Sequence, residues 1–348
     1  MPEPDAPTPG VPHPEADFPA TGVDALAGRR SPATRRGRVR RAGLAAALVV
    51  GALLAALVAD AGLLARRSPT VEVSLPGAGD ATAYLLLGSD SRGRLPEADR
   101  ARYADRAQAT GERADLVLVL RTGGEGPPRL LSIPRDLYVG RAAGRPHRLG
   151  LALADGPQAM VDSLCRDVGI GVDHVAVLDF RGLIDLVDAT GGVVVTTDAP
   201  LRDRRAGLDL PRAGTQRLDG RQALAWVRSR QPEVLRDGRW QPAPGTDRTR
   251  TSHAVDVLAQ ALAGVDDPVT AHRAAWALAP RVRRDDGLGP AASVALARDL
   301  QAAVSAGRVD TVPVRLTETR VPVAFPTDGT EEALDAFRTA TCRDRSDS

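Results

Sequence analysis

Five short apolar runs, each the length of one strand, lie between residues 83 and 197 with helical patterns among them, and this alternation constrains the fold more than any other feature. The runs are AYLLLG (83 to 88), DLVLVLRT (115 to 122), PRLLSIPRD (128 to 136), HVAVLDF (174 to 180) and GGVVVTT (191 to 197). GPQAMVDSLCRDVG (156 to 169) and RGLIDLVDATGG (181 to 192) read as helices that close on Gly, the residue best suited to a helix C-terminus. Strands so evenly apolar belong in a largely buried sheet, so the chain reads as an α/β layered domain. Farther on, DGRQALAWVRSR (219 to 230) and DRTRTSHAVDVLAQALAG (247 to 264) are helical, the second with an apolar stripe at Ala254, Val257, Leu258 and Ala261. Residues 231 to 246, with Pro and Gly, read as a loop. Helices follow over 268 to 282 and 289 to 304, then a strand pair in VDTVPVRL and TRVPVAFP, and a last helix from Glu331 to Ala340.

The N-terminal side obeys different rules. Residues 1 to 28 are rich in Pro and lack periodicity, so they cannot bury enough surface to offset their ordering entropy. RRSPATRRGRVRR, Arg29 to Arg41, follows, and then AGLAAALVVGALLAALVA, Ala42 to Ala59, runs 18 residues without a charge. At roughly 1.5 Å per residue this run crosses most of a bilayer core of about 30 Å, and residues to Ala65 extend it. Seven Arg before the run and only Arg66 and Arg67 just after it give an orientation with the N-terminus inside. The expected organisation is a cytoplasmic tail (1 to 41), a single transmembrane helix (42 to 65), a linker (66 to 80), an extracellular catalytic domain (81 to 340) and a short tail (341 to 348). The rival reading is a cleaved signal peptide ending at ADA (59 to 61), although its apolar core would be longer than usual.

Hydrophobic residues at 43% and charged residues at 26% are a globular balance, and a net charge of +2 offers no global attraction for nucleic acid. The basic residues apart from His are all Arg, and Ala is abundant, as in GC-rich coding. Cys165 and Cys342 either join in a disulfide that pins the C-terminus to the body or stay as two buried thiols.

Paired opposite charges recur at element ends. Asp90 and Arg92 follow one apolar strand, Arg113 and Asp115 precede another, and Arg135 and Asp136 end a third. Arg228 and Arg230 end a helix, while Asp247, Arg248 and Arg250 open the next. Strand ends of an α/β sheet are where ligands sit. Two carboxylates there suit Mg²⁺, which takes one or two carboxylates plus phosphate oxygens and waters, and Arg forks grip phosphate. Any single pair is equally a surface salt bridge worth at most about 1 kcal/mol; only the whole set points to a metal-bound pyrophosphate. Outside the membrane no ATP pool exists, so the substrate must carry its own activation, as a lipid-linked pyrophosphate does. There is no zinc spacing of Cys and His, no Walker loop and no G-x-S-x-G elbow. Aromatic residues, at 3%, provide no stacking platform for nucleic acid.

LLLGSDSR, ERADLVLVL, LLSIPRDLYV, HRLGLALADGP, VDHVAVLDFRGLIDLVDATGGV, LDLPRAGTQRLDGRQALAWVRSR and RVRRDDGLGPAASVALARDL resemble, in order, the LytR-CpsA-Psr family, from about Ala81 to the final helix. The resemblance implies a three-layer α/β/α sandwich around a mixed central sheet, with a hydrophobic groove for a polyprenyl tail. It also implies transfer of a glycopolymer from a polyprenyl pyrophosphate carrier to a peptidoglycan hydroxyl, forming a phosphodiester, with pyrophosphatase activity on the side. By position, Asp90 and Asp115 would hold Mg²⁺ or Mn²⁺. Arg113, Arg135, Arg228 and Arg230 would contact the pyrophosphate, Asp247 and Arg250 would brace it, and Arg92 and Arg148 would be further contacts. The composition suggests an actinobacterial member.

The chain departs from the family pattern in places. The usual helix start D-x-x-R-x-x-R-Q here has His253 and Ala254 after Asp247 and Arg250, Leu116 stands where Thr is common, and HRLGLALADG lacks an Asn. These changes leave open a member that binds the lipid carrier without transferring its polymer. A membrane-bound transcriptional regulator is the remaining alternative, supported by the 13-residue basic segment alone, which makes a poor DNA reader.

Overall fold

The computed structural model describes residues 59–91, 111–124, 126–140, 146–243, 247–317 and 323–342, with positions 55, 56 and 97; for 247–251 it gives the backbone alone. Val58–Ser348 form one compact unit. Of the separate unit Met1–Leu57 only Ala55 and Ala56, helical and exposed, are described. Among the described residues no helix is long and apolar enough to cross a membrane. The apolar run from Ala42 lies outside them as far as Val58, apart from those two alanines.

A helix at 59–67 (α1) opens the described chain and leads to β1 (Thr70–Val71) and β2 (Thr82–Ser89). Then come β3 (Ala114–Thr122), β4 (Arg129–Ile133), β5 (Tyr138–Val139) and β6 (His147–Arg148). A 3-10 segment Leu149–Asp155 runs into α2 (Pro157–Ser163), which is prolonged by a π turn to Val168 and stopped by Gly169 at φ 81°. After β7 (His174–Asp179), Asp179 caps α3 (Phe180–Ala189) by accepting the Gly182 N–H at 2.9 Å. The strands β8 (Val193–Thr197), β9 (Leu201–Asp203), β10 (Leu208–Leu210) and β11 (Gly214–Leu218) precede α4 (Gly220–Arg228), which Asp219 and Gln222 begin with a reciprocal capping box. The chain closes with β12 (Glu233–Arg236), β13 (Arg239–Pro242), α5 (Asp247–Ala263), α6 (Pro268–Leu278), β14 (Val282–Asp285), α7 (Pro290–Ser305), β15 (Val309–Thr311), β16 (Val314–Leu316), β17 (Ala324–Pro326) and α8 (Asp328–Asp335).

Seven strands make the central sheet in the order β1-β14-β7-β2-β3-β4-β15. It is mixed: β2 is parallel to β7 and antiparallel to β3, and β14 is antiparallel to β7. Because side chains alternate across a strand, each strand supplies two cores. Leu85, Leu87, Val117, Val119, Leu131 and Ile133 face one side with Leu149, Met160, Leu164 and Phe337. Tyr84, Leu118, Leu120 and Leu130 face the other with Leu300 and Ala303 of α7 and, at the margin, Val255 and Leu258 of α5. The sheet is therefore covered on both faces, the α/β/α layering expected.

Four sequence expectations change. Residues 231–246 are not simply a loop: β12 and β13 form a hairpin that adds to β9, turning at Asp237 (φ 50°) and Gly238 (φ 73°). An Asp-Gly pair in left-handed conformations is the turn a two-residue hairpin favours. GGVVVTT forms β8, but it pairs with β11 outside the central sheet. The helix expected to reach residue 282 stops at Leu278, and the following Arg-rich segment becomes β14, an inner strand. The last helix runs over Asp328–Asp335, a few residues earlier than read from the sequence. The two cysteines are joined: Cys165 and Cys342 lie 5.0 Å apart at Cα, both buried.

Candidate functional site

One end of the central sheet collects the charges. The C-terminal ends of β2, β4 and β7 and the N-terminal ends of β3 and β14 all lie at that end, given their pairing directions. Asp90 thus follows β2, Arg113 and Asp115 flank the start of β3, Arg135 and Asp136 follow β4, Asp179 ends β7, and Arg283 lies in the first half of β14.

A β-bulge sets the key carboxylate. Gly88 pairs with Leu116, yet Ser89 pairs with Ala114, so Asp115 is an extra residue with no opposite number. In keeping with this, Asp115 and Leu116 are both only half-buried although they are adjacent in a strand. Gly88 is needed at this point: a Cβ there would lie 2.9 Å from the Leu116 Cβ. Beyond the bulge, Asp90 and Arg113 lock together through one backbone bond and one bond to the Asp90 carboxylate. The Asp90 N–H donates to the Arg113 carbonyl at 2.9 Å, and the Arg113 N–H donates to Asp90 Oδ1 at 2.8 Å. Asp90 is 6% exposed.

Arg135 pairs with Asp115 through Nη1 and with Asp136 through Nε at 3.3 Å. Asp136, itself buried, accepts from Arg148 Nη1 at 3.0 Å, which brings β6 to the cluster. Arg135 is held from behind by Gly150, whose N–H donates to the Arg135 carbonyl at 2.7 Å. A Cβ on Gly150 would come within 2.5 Å of the Ala114 carbonyl oxygen and 3.0 Å of the Arg135 Cβ, so only Gly fits between the two charged segments. A second group lies beside the first. Glu112 accepts from the Ser89 hydroxyl and from the Arg283 guanidinium, tying β2, β3 and β14 together.

Arg228 is the last residue of α4, and its guanidinium stands 5.2 Å from the centroid of the Phe180 ring at the start of α3. Arg230 is exposed, and its N–H donates to Asp203 Oδ2 at 2.9 Å. Asp203 also accepts from the N–H groups of Gln231, Arg205 and Ala206 and from the Ser229 hydroxyl. Burial pushes the Asp203 carboxyl up, but these donors outweigh it and hold its pKa below the ordinary value. On α5, the His253 ring stacks on Trp226 of α4 with centroids 4.3 Å apart. Burial pushes its pKa down, against the opposing pull of the Trp226 backbone and Asp256, so His253 is neutral at pH 7.

The site residues read from the sequence thus fall into three groups. Asp90, Arg113, Asp115 and Arg135 share the sheet end, with Arg148 joined to them through Asp136. Arg228 and Arg230 occupy the end of α4. Arg92 lies outside the described residues, and Asp247 and Arg250 open α5 with only their backbone described. Sequence reading missed Glu112, Arg283, Gly150 and Asp203. Glu112 adjoins Arg113 and could have been added as one more charge at a strand start; Arg283 lies just past the helix read over 268 to 282, and Asp203 lies among the charges that follow β8, where no motif marks it.

Among the described residues no three His, Asp or Glu converge as a self-sufficient metal cage. Asp90, just after β2, and Asp115, in the neighbouring β3, provide two carboxylates, the number Mg²⁺ uses when phosphate oxygens and waters complete its shell. The donor set fits that ion.

An α/β/α domain whose sheet end interleaves carboxylates with guanidinium groups has the side-chain types that can grip a phosphorylated ligand. The LytR-CpsA-Psr family model matches residues 55–253, and the chain belongs to that family. It is 37% identical over 150 residues to the probable cell wall biosynthesis protein LcpB of Corynebacterium glutamicum, covering 43% of this chain and 36% of that protein. It is 31% identical over 160 residues to TagT of Bacillus subtilis, a polyisoprenyl-teichoic acid–peptidoglycan teichoic acid transferase, covering 44% of this chain and 47% of that one. The chain thus spans between a third and half of the length of these curated relatives. Among solved structures it superposes on a LytR-Csp2A-Psr enzyme from Actinomyces oris with a TM-score of 0.64 at 28% identity, over 79% of this chain and 97% of that one. The Corynebacterium and Actinomyces relatives agree with the actinobacterial origin that composition suggested.

Proposed function

We propose that the protein is a membrane-anchored phosphotransferase of cell wall assembly, moving a glycopolymer from a polyprenyl pyrophosphate carrier to a peptidoglycan hydroxyl outside the cell. The observation that carries this reading is the Arg135 fork held between Asp115 and Asp136 at the sheet end, beside Asp90 and Arg113. A guanidinium already oriented by two carboxylates can exchange Asp115 for a phosphate oxygen without reordering its side chain. Arg148, joined to the same Asp136, adds further donors beside it. The half-buried apolar residues Leu86, Leu116, Leu258 and Leu262 on the α5–α7 face of the sheet supply the surface a polyprenyl tail needs.

Mg²⁺ bound by Asp90 and Asp115 would offset negative charge developing on the leaving phosphate. The chain's own residues do the rest. Arg135 and Arg113 orient the pyrophosphate, Asp136 and Gly150 fix Arg135, and Arg228, packed on Phe180, closes the side facing α3. The test is Mg²⁺-dependent release of polymer phosphate from a polyprenyl pyrophosphate donor by the full-length chain. Asp115→Ala and Arg135→Ala should each lower the rate by roughly 100-fold or more, as removing a positioned transition-state partner does. Wild-type rates in both variants would overturn the assignment.

A second reading, a member that binds the carrier without transferring, has one observation in its favour. His253, where the family pattern has a cation, is neutral and stacked on Trp226. Retained lipid binding with no transfer by the wild type would favour it.

A further inference from the structure

The chain leaves its longest apolar run directly into a docked helix. Asp60, the first charge after Ala42–Ala59, receives the Trp276 Nε1–H on Oδ1 at 3.0 Å and lies 3.5 Å from His272 Nδ1. One helical face of α1 carries Asp60, Leu64 and Arg67, spaced i, i+4 and i+7. Arg67 completes the contact by standing 4.5 Å over the Trp276 ring, and Arg284 Nη2 donates to the Ala65 carbonyl at 3.5 Å. Leu63, 51% exposed, borders that face, i+3 from Asp60. On α6, the stripe that holds His272 and Trp276 continues to Val269, which is 66% exposed, while Ala274 and Leu278 turn inward to the domain.

We propose that α1 and the Val269–Trp276 stripe of α6 form a face that rests on the lipid bilayer, with the Trp276–Arg67 stack at the headgroup level. This rests on reading Ala42–Ala59 as a membrane span. Eighteen residues rise roughly 27 Å, most of a hydrocarbon core of about 30 Å, so a span can end at Ala59, the first residue of α1, and not at Ala65 as read from the sequence. The next residue, Asp60, is bound to α6. A span that ends at Ala59 would therefore bring α6 to the interface. Its side chains suit that place. Trp and Arg, each an apolar body with a polar end, gather at membrane surfaces, and Leu63 and Val269 are apolar groups that would otherwise stand in water. Within residues 59–67 and 266–276, Asp60, Asp266 and Asp267 balance Arg66, Arg67 and Arg273, so the face depends on burial and not on anionic lipid. α3, packed on α6, carries Phe180 at the phosphate site, so the bilayer contact fixes how the site stands relative to the carrier lipid.

The test uses the full-length chain in phosphatidylcholine vesicles. With Trp226→Phe and Trp240→Phe, Trp276 is the remaining tryptophan. Its emission should be quenched by doxyl groups near the headgroup more than by those deep in the acyl chains, and Asp60→Ala should weaken that quenching. Independently, Val269→Cys labelled with an environment-sensitive fluorophore should shift its emission to the blue on incorporation, since both native cysteines are in the disulfide. Carbonate extraction separates the two layers of inference. A chain released from the vesicles overturns the span and this proposal together. A chain that stays while Trp276 remains unquenched and the label at 269 unshifted overturns this proposal and leaves the span standing.

Discussion

At the scale of single residues, the site is organised by groups that hold other groups. Asp203 is 2% exposed and gathers the backbone around Arg230. Its pKa is depressed, so its contribution to stability is present above the unfolded value of about 3.9 and is lost as pH falls through the lower folded value. Asp203→Asn should cost about 1 to 3 kcal/mol at pH 7, the price of a buried group that loses charged hydrogen bonds. Urea melts should also show the variant less sensitive than wild type to acid below about pH 4. His253 behaves with the same sign for a different reason, because burial opposes its charged form. His253→Arg would place a permanent cation where the neutral ring stacks on Trp226. It should tighten binding of a polyprenyl pyrophosphate by roughly 10- to 100-fold, the worth of one charged hydrogen bond, read by calorimetry with the full chain. Unchanged affinity would mean that the position does not face the phosphate.

Elements show where sequence reading succeeds and where it stops. The apolar runs of β2, β3, β4 and β7 were legible because a strand buried on both faces leaves no polar alternation to mislead. The Asp-Gly turn of the β12–β13 hairpin was equally present in the residues and was hidden by the Pro and Gly around it. β14 could not be read, since Val282–Asp285 is three-quarters charged and is a strand only because Asp285 binds the Val175 N–H at 2.8 Å and its neighbours pair with β7 and β1. The charges of the site were legible as types, but the bulge at Asp115 was not, because bulges depend on the partner strand. Gly150 marks the same limit. Its need for a bare Cα arises from β3 and β4 closing on it, and Gly150→Ala should separate the 3-10 segment from Arg135. We expect a loss of about 1 to 3 kcal/mol in urea unfolding, as overpacking costs, and a fall in transfer rate that exceeds what the lost stability explains.

For the whole molecule, the Cys165–Cys342 bond closes a loop of 177 residues in sequence and holds the C-terminal segment against the π turn after α2. Replacing both cysteines by serine should lower unfolding free energy by about 2 to 5 kcal/mol, and reductant should do the same to wild type and nothing further to the variant. The central sheet has another consequence, one of timing. Its strands are not laid down in order: β14, from residue 282, inserts between β1 and β7 and brings Arg283 to Glu112 across 171 residues. A chain delivered from its N-terminus holds Asp90, Arg113 and Asp115 early, yet it lacks the inner strand until four-fifths of its length has emerged. On the proposed function, chemistry on a reactive pyrophosphate would thereby be withheld from unfinished molecules, with completeness of the polypeptide as the condition for activity.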